Sequence, residues 1–207
     1  MATQVKRLAA LAVIIISVGV FSTTLVHALW YAPEDEISYV NENPIKAFVP
    51  AAHATSSTVG PERLIIPSLG IDANVQEVGI NAKGNMGVPS NFSDVAWYKY
   101  GTTPGDMGSA VIDGHVDNGL GLAGVFKHLG DMQIGDDVYV ENKDGERLHF
   151  VVTDIQSYPY KDAPDEQIFN AGDAARLNLI TCEGKWVKAD KTYDQRLVIY
   201  TKLVSDS

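Results

Sequence analysis

Arg176-Leu177-Asn178-Leu179-Ile180-Thr181-Cys182-Glu183-Gly184-Lys185-Trp186 is the stretch on which the reading of the whole chain turns. Leu177, Leu179 and the β-branched Ile180 and Thr181 form a short apolar run with the composition of a buried strand. The run stops at Cys182, the only cysteine in 207 residues, so no internal disulfide can form. An unpaired thiol is either an inert buried side chain or a nucleophile kept free for chemistry. Its place at a strand end, just before Glu183-Gly184-Lys185, favours the nucleophile.

Outward from this strand the chain reads as many short strands separated by turns. Arg63-Leu64-Ile65-Ile66-Pro67 is a strand closed by proline, residues 73–80 a second strand, and the Gly- and Asn-rich 81–87 a turn. Residues 93–98 read as a short helix capped by Ser93. After a loop over 101–108, Ser109-Ala110-Val111-Ile112-Asp113-Gly114 is a strand running into His115. Val125-Phe126-Lys127-His128-Leu129 has helical character and ends at Gly130. Strands over 138–140 and 148–152 flank Lys143-Asp144-Gly145, whose Asp-Gly pair signals a hairpin. Residues 165–169 read as one helical turn and 195–203 as the final strand. Frequent turns and few helices indicate a mostly-β domain, and closing it into a small barrel removes exposed edges.

The N-terminus is of another kind. Residues 8–31 contain no Asp, Glu, Lys or Arg; as a helix they would rise about 36 Å, enough to cross a hydrocarbon core of ~30 Å. Lys6 and Arg7 precede the segment and Glu34-Asp35-Glu36 follow it, which puts residues 1–7 in the cytoplasm and everything after residue 31 outside, with Trp30 and Tyr31 at the outer interface. Val26-His27-Ala28 offers a rival reading as a signal-peptide cleavage site, but an apolar core of this length exceeds the usual ~7 to 15 residues and favours an uncleaved anchor. Residues 32–60, with Pro33, Pro44, Pro50 and no sustained hydrophobic period, read as a linker, leaving 61–207 as the folded domain.

At 45% hydrophobic and 20% charged residues, the chain supports one globular core plus an accessory segment. Setting Lys6 and Arg7 aside leaves 14 basic residues against 26 acidic ones, a balance of −12 that repels nucleic acid and excludes its binding as a main activity. No cofactor is called for. One Cys and histidines away from ligand spacings give no metal site, although scattered Asp and Glu leave weak calcium binding open.

A thiol nucleophile needs a proton partner and a group to hold the oxyanion formed at an attacked carbonyl. Of the five histidines, His27 lies at the end of the apolar segment, His53 in the linker, His128 on the short helix and His149 inside a strand. His115, at the mouth of a strand after Gly114, is placed like the cysteine itself. Arg196 enters the last apolar strand, where a guanidinium either snorkels to solvent or points at the thiol from the neighbouring strand.

Leu179-Ile180-Thr181-Cys182, with Arg196 fourteen residues later and Gly114-His115 sixty-seven and more residues earlier, resembles the signature of the sortases, cysteine transpeptidases of the Gram-positive type of cell surface. The resemblance runs over residues 62–204 and includes the Thr103-Pro104-Gly105-Asp106 loop; Gly114-His115-Val116-Asp117 followed by Val125-Phe126 is similar to the class F branch. Asn178, where many members carry Thr, and Trp186-Val187, where Phe-Asp is common, depart from it and leave substrate and subclass open. The resemblance implies an eight-stranded barrel in which Cys182 is nucleophile, His115 proton donor and acceptor, and Arg196, helped by Thr181, steadies the oxyanion. Asp117 is a candidate to orient His115, against the plainer role of a turn former. The implied partners are exported proteins with a C-terminal sorting signal resembling Leu-Pro-X-Thr-Gly, and an amine acceptor from a cell-wall precursor or a pilin. A reading from another class is a membrane-tethered, non-catalytic β-domain that binds envelope components, with Cys182 merely buried.

Overall fold

Alternation at a period of two lets one strand serve two faces, and the computed structural model, which describes residues 2–30, 60–81, 84–118 and 120–204, uses it throughout. The eight strands are β1 (Pro61–Ile66), β2 (Ile71–Val78), β3 (Val95–Tyr98), β4 (Gly108–Asp113), β5 (Asp137–Asn142), β6 (Arg147–Pro159), β7 (Ala175–Val187) and β8 (Thr192–Leu203). They close into a barrel in the order β1-β2-β3-β4-β7-β8-β6-β5, with β5 returning to β1 through Leu64 opposite Val140. The mostly-β barrel of the sequence reading is the observed fold.

Every strand sends apolar side chains inward. Leu64, Ala73, Val95, Ile112, Val138, Phe150, Leu179 and Ile199 meet in one buried cluster, one or more from each strand. The intervening residues of β4, β7 and β8 face outward, where Val111, Ile180, Val198 and Tyr200 form a second cluster. The short helix α2 (Asp165–Phe169) covers it with Ile168, and the segment after β2 adds Met86.

Two local expectations are corrected. Residues 95–98 form a strand, because Val95, Ala96 and Trp97 are buried and pair in parallel with Val75, Gln76 and Glu77 of β2. The polar start of that stretch is a turn made by Asn91, whose Oδ1 accepts from Ser93 N at 3.0 Å and Asp94 N at 2.8 Å. Residues 125–128 are turns leading into one 3-10 turn at Leu129–Asp131, set by the burial of Phe126 and Leu129 in the barrel end.

At the N-terminus Ala2–Trp30 forms a helix, α1. Its side chains are described at Arg7 and over residues 12–26, all exposed. The latter stretch rises only about 22 Å, and among the described residues no helix is long and apolar enough to cross a membrane. Tyr31 and the linker through residue 59, including His53, lie outside the described residues.

Candidate active site

The site is assembled by the register of three adjacent strands. β7 and β8 are antiparallel, and Cys182 lies directly opposite Arg196. Paired residues share a face of the sheet with Cβ atoms roughly 5 Å apart, so thiol and guanidinium project together from the outer face. β4 and β7 run parallel, with Asp113 beside Ile180. Gly114 N donates to Ile180 O at 3.2 Å, and Thr181 Oγ1 donates to Gly114 O at 2.8 Å. These two bonds stitch the backbone immediately before His115 to the backbone immediately before Cys182.

The loop that carries His115 is tightly constrained. A Cβ on Gly114 would sit 2.6 Å from the Phe126 ring, and one on Gly124 would sit 2.3 Å from His115 O, so only glycine lets the chain fold back on itself here. Phe126 N closes the fold by donating to His115 O at 3.0 Å. The imidazole packs against Phe92 with ring centroids 5.1 Å apart, and Nε2 lies 3.0 Å from the Pro89 carbonyl. Because a carbonyl only accepts, that contact keeps a proton on Nε2.

Arg196 is wholly buried. Nη1 donates to Tyr193 O at 3.0 Å and Gln195 O at 2.9 Å, Nη2 donates to Thr192 Oγ1 at 2.8 Å, and the guanidinium stacks over Tyr160 at 5.6 Å. Nε has no partner. Among the described residues no carboxylate pairs with this cation, so its charge is available to Cys182. Burial pushes the Cys182 thiol up, the Arg196 charge pulls it back, Asp113 and Asp117 add to the rise, and a Thr192 hydrogen bond opposes it. Burial wins, and the resting sulfur is a half-buried thiol.

Thr181 and Asp117 both hold the backbone together. The Thr181 side chain is on the opposite face of β7 from Cys182, and its hydroxyl is committed to Gly114. Asp117 accepts from Tyr193 Oη at 2.6 Å and pairs with Lys127 at 3.6 Å, tying the His115 loop to the start of β8. Burial first, then the bond to Asp117, pushes the Tyr193 phenol far above its ordinary range, so it stays a donor. Thr192 and Tyr193 are site residues that no motif pointed to. Both pair with β7 beyond the register shift between Glu183 and Trp186, Tyr193 opposite Trp186 and Thr192 opposite Val187. His128 and His149 lie elsewhere, beside Asp131 and Asp137. Among the described residues no group of three or more His, Cys, Asp or Glu is placed to hold a metal ion.

Comparison with known proteins agrees with this architecture. The sortase domain family model matches residues 64–204. Among solved structures, the chain is similar to Streptococcus agalactiae sortase C1 in its complex with MTSET (20% identity, TM-score 0.53, covering 70% of this chain and 67% of that one). It is also similar to a Clostridium perfringens sortase D5 transpeptidase (16%, 0.52, 70% and 79%) and to a lid mutant of Corynebacterium diphtheriae sortase A (19%, 0.55, 70% and 70%). At these identities the likeness is one of fold. No curated protein matches the chain in sequence.

Proposed function

The chain belongs to the sortase family, and from that premise we propose that it is a cysteine transpeptidase acting through Cys182, His115 and Arg196 on the C-terminal sorting signal of exported proteins. The observation that carries this reading is the register of Cys182 opposite Arg196, with Gly114-His115 stitched to the same strand. Cys182 Sγ attacks the scissile carbonyl, the thiol proton passes to His115, and the C–N bond breaks as that proton moves to the leaving amine. A thioester remains on Cys182. An incoming amine from a cell-wall precursor or pilin attacks the thioester and gives a proton to His115, which passes it to the sulfur as the C–S bond breaks; water does the same more slowly.

Three of the five N–H groups of Arg196 are spent on holding it. The Nε–H and one Nη2–H are left to steady a developing oxyanion, at a fixed position and in a dry setting where such donors act most strongly. Thr181 serves this chemistry by holding Gly114 beneath His115. Residues 8–31 anchor the enzyme, with residues 1–7 in the cytoplasm, 32–60 as tether and 61–207 as the extracellular catalytic domain. Donor, enzyme and lipid-linked acceptor are then confined to one membrane face, which raises their effective concentrations.

The test uses the full chain in detergent with quenched fluorescent peptides ending in Leu-Pro-X-Thr-Gly variants, alongside a methanethiosulfonate reagent. Cleavage together with loss of activity on thiol modification is the expected result. A protein that cleaves none of the peptides and leaves Cys182 unmodified is a binding domain instead.

A further inference from the structure

The peptide unit joining Pro89 to Ser90 meets the site histidine at one end and β2 at the other. Its carbonyl takes the contact with His115 Nε2 at 3.0 Å, and its N–H donates to Gln76 Oε1 at 3.0 Å. Ser90 Oγ donates to the same Oε1 at 3.1 Å. Gln76, half-buried on β2, in turn donates through Nε2 to Asp94 Oδ2 at 2.9 Å. This arrangement fixes which way the Gln76 amide points, because a backbone N–H only donates and a carboxylate only accepts. Asp94, the Gln76 amide, the Pro89–Ser90 peptide and the His115 ring are thus joined in one unbroken run of hydrogen bonds.

Hydrogen bonds in such a run polarise one another. A carboxylate that accepts from the Gln76 N–H makes Oε1 a stronger acceptor, which in turn makes the Pro89 oxygen a stronger acceptor for His115. A more negative Pro89 oxygen holds the proton on Nε2 and favours the imidazolium over the neutral ring. Asp94 is itself well seated: Asn91 Nδ2 donates to Oδ2 at 2.8 Å, Asn74 Nδ2 to Oδ1 at 3.4 Å, and the Asp94 N–H donates to Asn91 Oδ1 at 2.8 Å. The same turn carries Phe92, which packs against the imidazole and whose carbonyl accepts from Val125 N at 2.8 Å. The other titratable and charged groups on the elements about the His115 loop are Asp113, Asp117, Lys127, Cys182, Tyr193 and Arg196. Asp113 is buried with both oxygens unpartnered, and burial pushes it well above the ordinary carboxylate range. Asp117 is committed to Tyr193 and Lys127. All six are retained when Gln76 or Asp94 is changed, so a difference between such variants reports the hydrogen-bonded run.

We infer that Gln76 and Asp94 are positioning residues for His115, acting through the Pro89–Ser90 peptide to fix its neutral tautomer and to favour its protonated form. Their bearing on turnover rests on the transpeptidase reading; their effect on the imidazole does not. The test takes the full chain in detergent with nitrogen-15 histidine, the His115 signals being identified by their loss in His115→Gln. The neutral ring of wild type carries its proton on Nε2. Gln76→Leu cuts the run; its neutral ring is a mixture of both tautomers, and kcat on a donor peptide falls about fivefold with KM held. Asp94→Asn keeps an acceptor for Gln76 but removes the charge, so it retains the tautomer and its His115 titrates about 0.5 pH unit lower. A merely structural Asp94 would leave that titration where wild type has it. A wild-type neutral ring protonated on the other nitrogen overturns the inference, as does an Asp94→Asn titration within about 0.1 pH unit of wild type. So does a Gln76→Leu ring with the tautomer and titration of wild type; should that variant not fold, the Asp94→Asn titration decides alone. The expected shifts in a protein that cleaves no donor peptide sustain the inference and overturn the transpeptidase reading.

Discussion

Along β7 the inward residues are Leu177 and Leu179 and the outward ones Asn178, Ile180 and Cys182; along β8 Leu197 and Ile199 point in while Arg196, Val198 and Tyr200 point out. The inner set is apolar and joins all eight strands. The outer set mixes apolar floor with a thiol, a buried guanidinium and orphaned oxygens. The proposed chemistry thus sits on the outer face of the same strands, a single peptide unit from the inner core. Strand pairing alone sets Cys182 opposite Arg196, and substitutions on the two faces should have different consequences.

The largest contrast is at Cys182. Cys182→Ala should reduce donor cleavage by roughly 10³-fold or more while leaving the melting temperature nearly unchanged. Arg196→Lys, still cationic but without the planar fork, should cost about 10²-fold in kcat, read by steady-state kinetics. On the inner face, Leu179→Ala should remove about 2–5 kcal/mol in chemical denaturation and leave the turnover of the folded fraction near that of wild type. If Leu179→Ala abolished chemistry without loss of stability, the division between faces would fail.

Smaller effects sharpen the picture. Tyr193→Phe deletes the donor to Asp117 and loosens the His115 loop; a loss of about fivefold in kcat, with the fold intact by circular dichroism, is expected for one hydrogen bond of this kind. The smallest effect is a pH-dependent one at Asp113. Because the folded state holds its proton above the ordinary carboxylate range, wild type and Asp113→Asn should be close in stability below about pH 4, and wild type should fall behind as pH rises toward the folded-state value. Parallel melting curves of the two proteins across pH check the sign; a wild type that gained on Asp113→Asn with rising pH would show the acid to be ionised and paired.

Much of this was legible from residue order. The alternation around Cys182, the Asp-Gly hairpin at 144–145 and the turn signals were enough for a closed β fold, and the positions of His115 and Arg196 at strand mouths made them candidates. What escaped was long-range. The Ser93-Asp94 start resembles a helix cap, and only pairing with β2 makes Val95–Tyr98 a strand. The assignments of Thr181 to Gly114 and of Asp117 to Tyr193 join residues 67 and 76 positions apart. Asp113 looked like one more strand residue, because that its oxygens lack partners is a property of the packed wall.

The central claim is that sulfur is acylated on the outer face of β7. Its most direct test is intact-mass spectrometry of the full-length protein, mixed with a donor peptide and quenched in acid within the first turnover. The account predicts a mass increase equal to the acyl fragment, located at Cys182, discharged by an added primary amine and missing in Cys182→Ala. Cleavage of the donor with no adduct, proceeding equally well in Cys182→Ala, would contradict it.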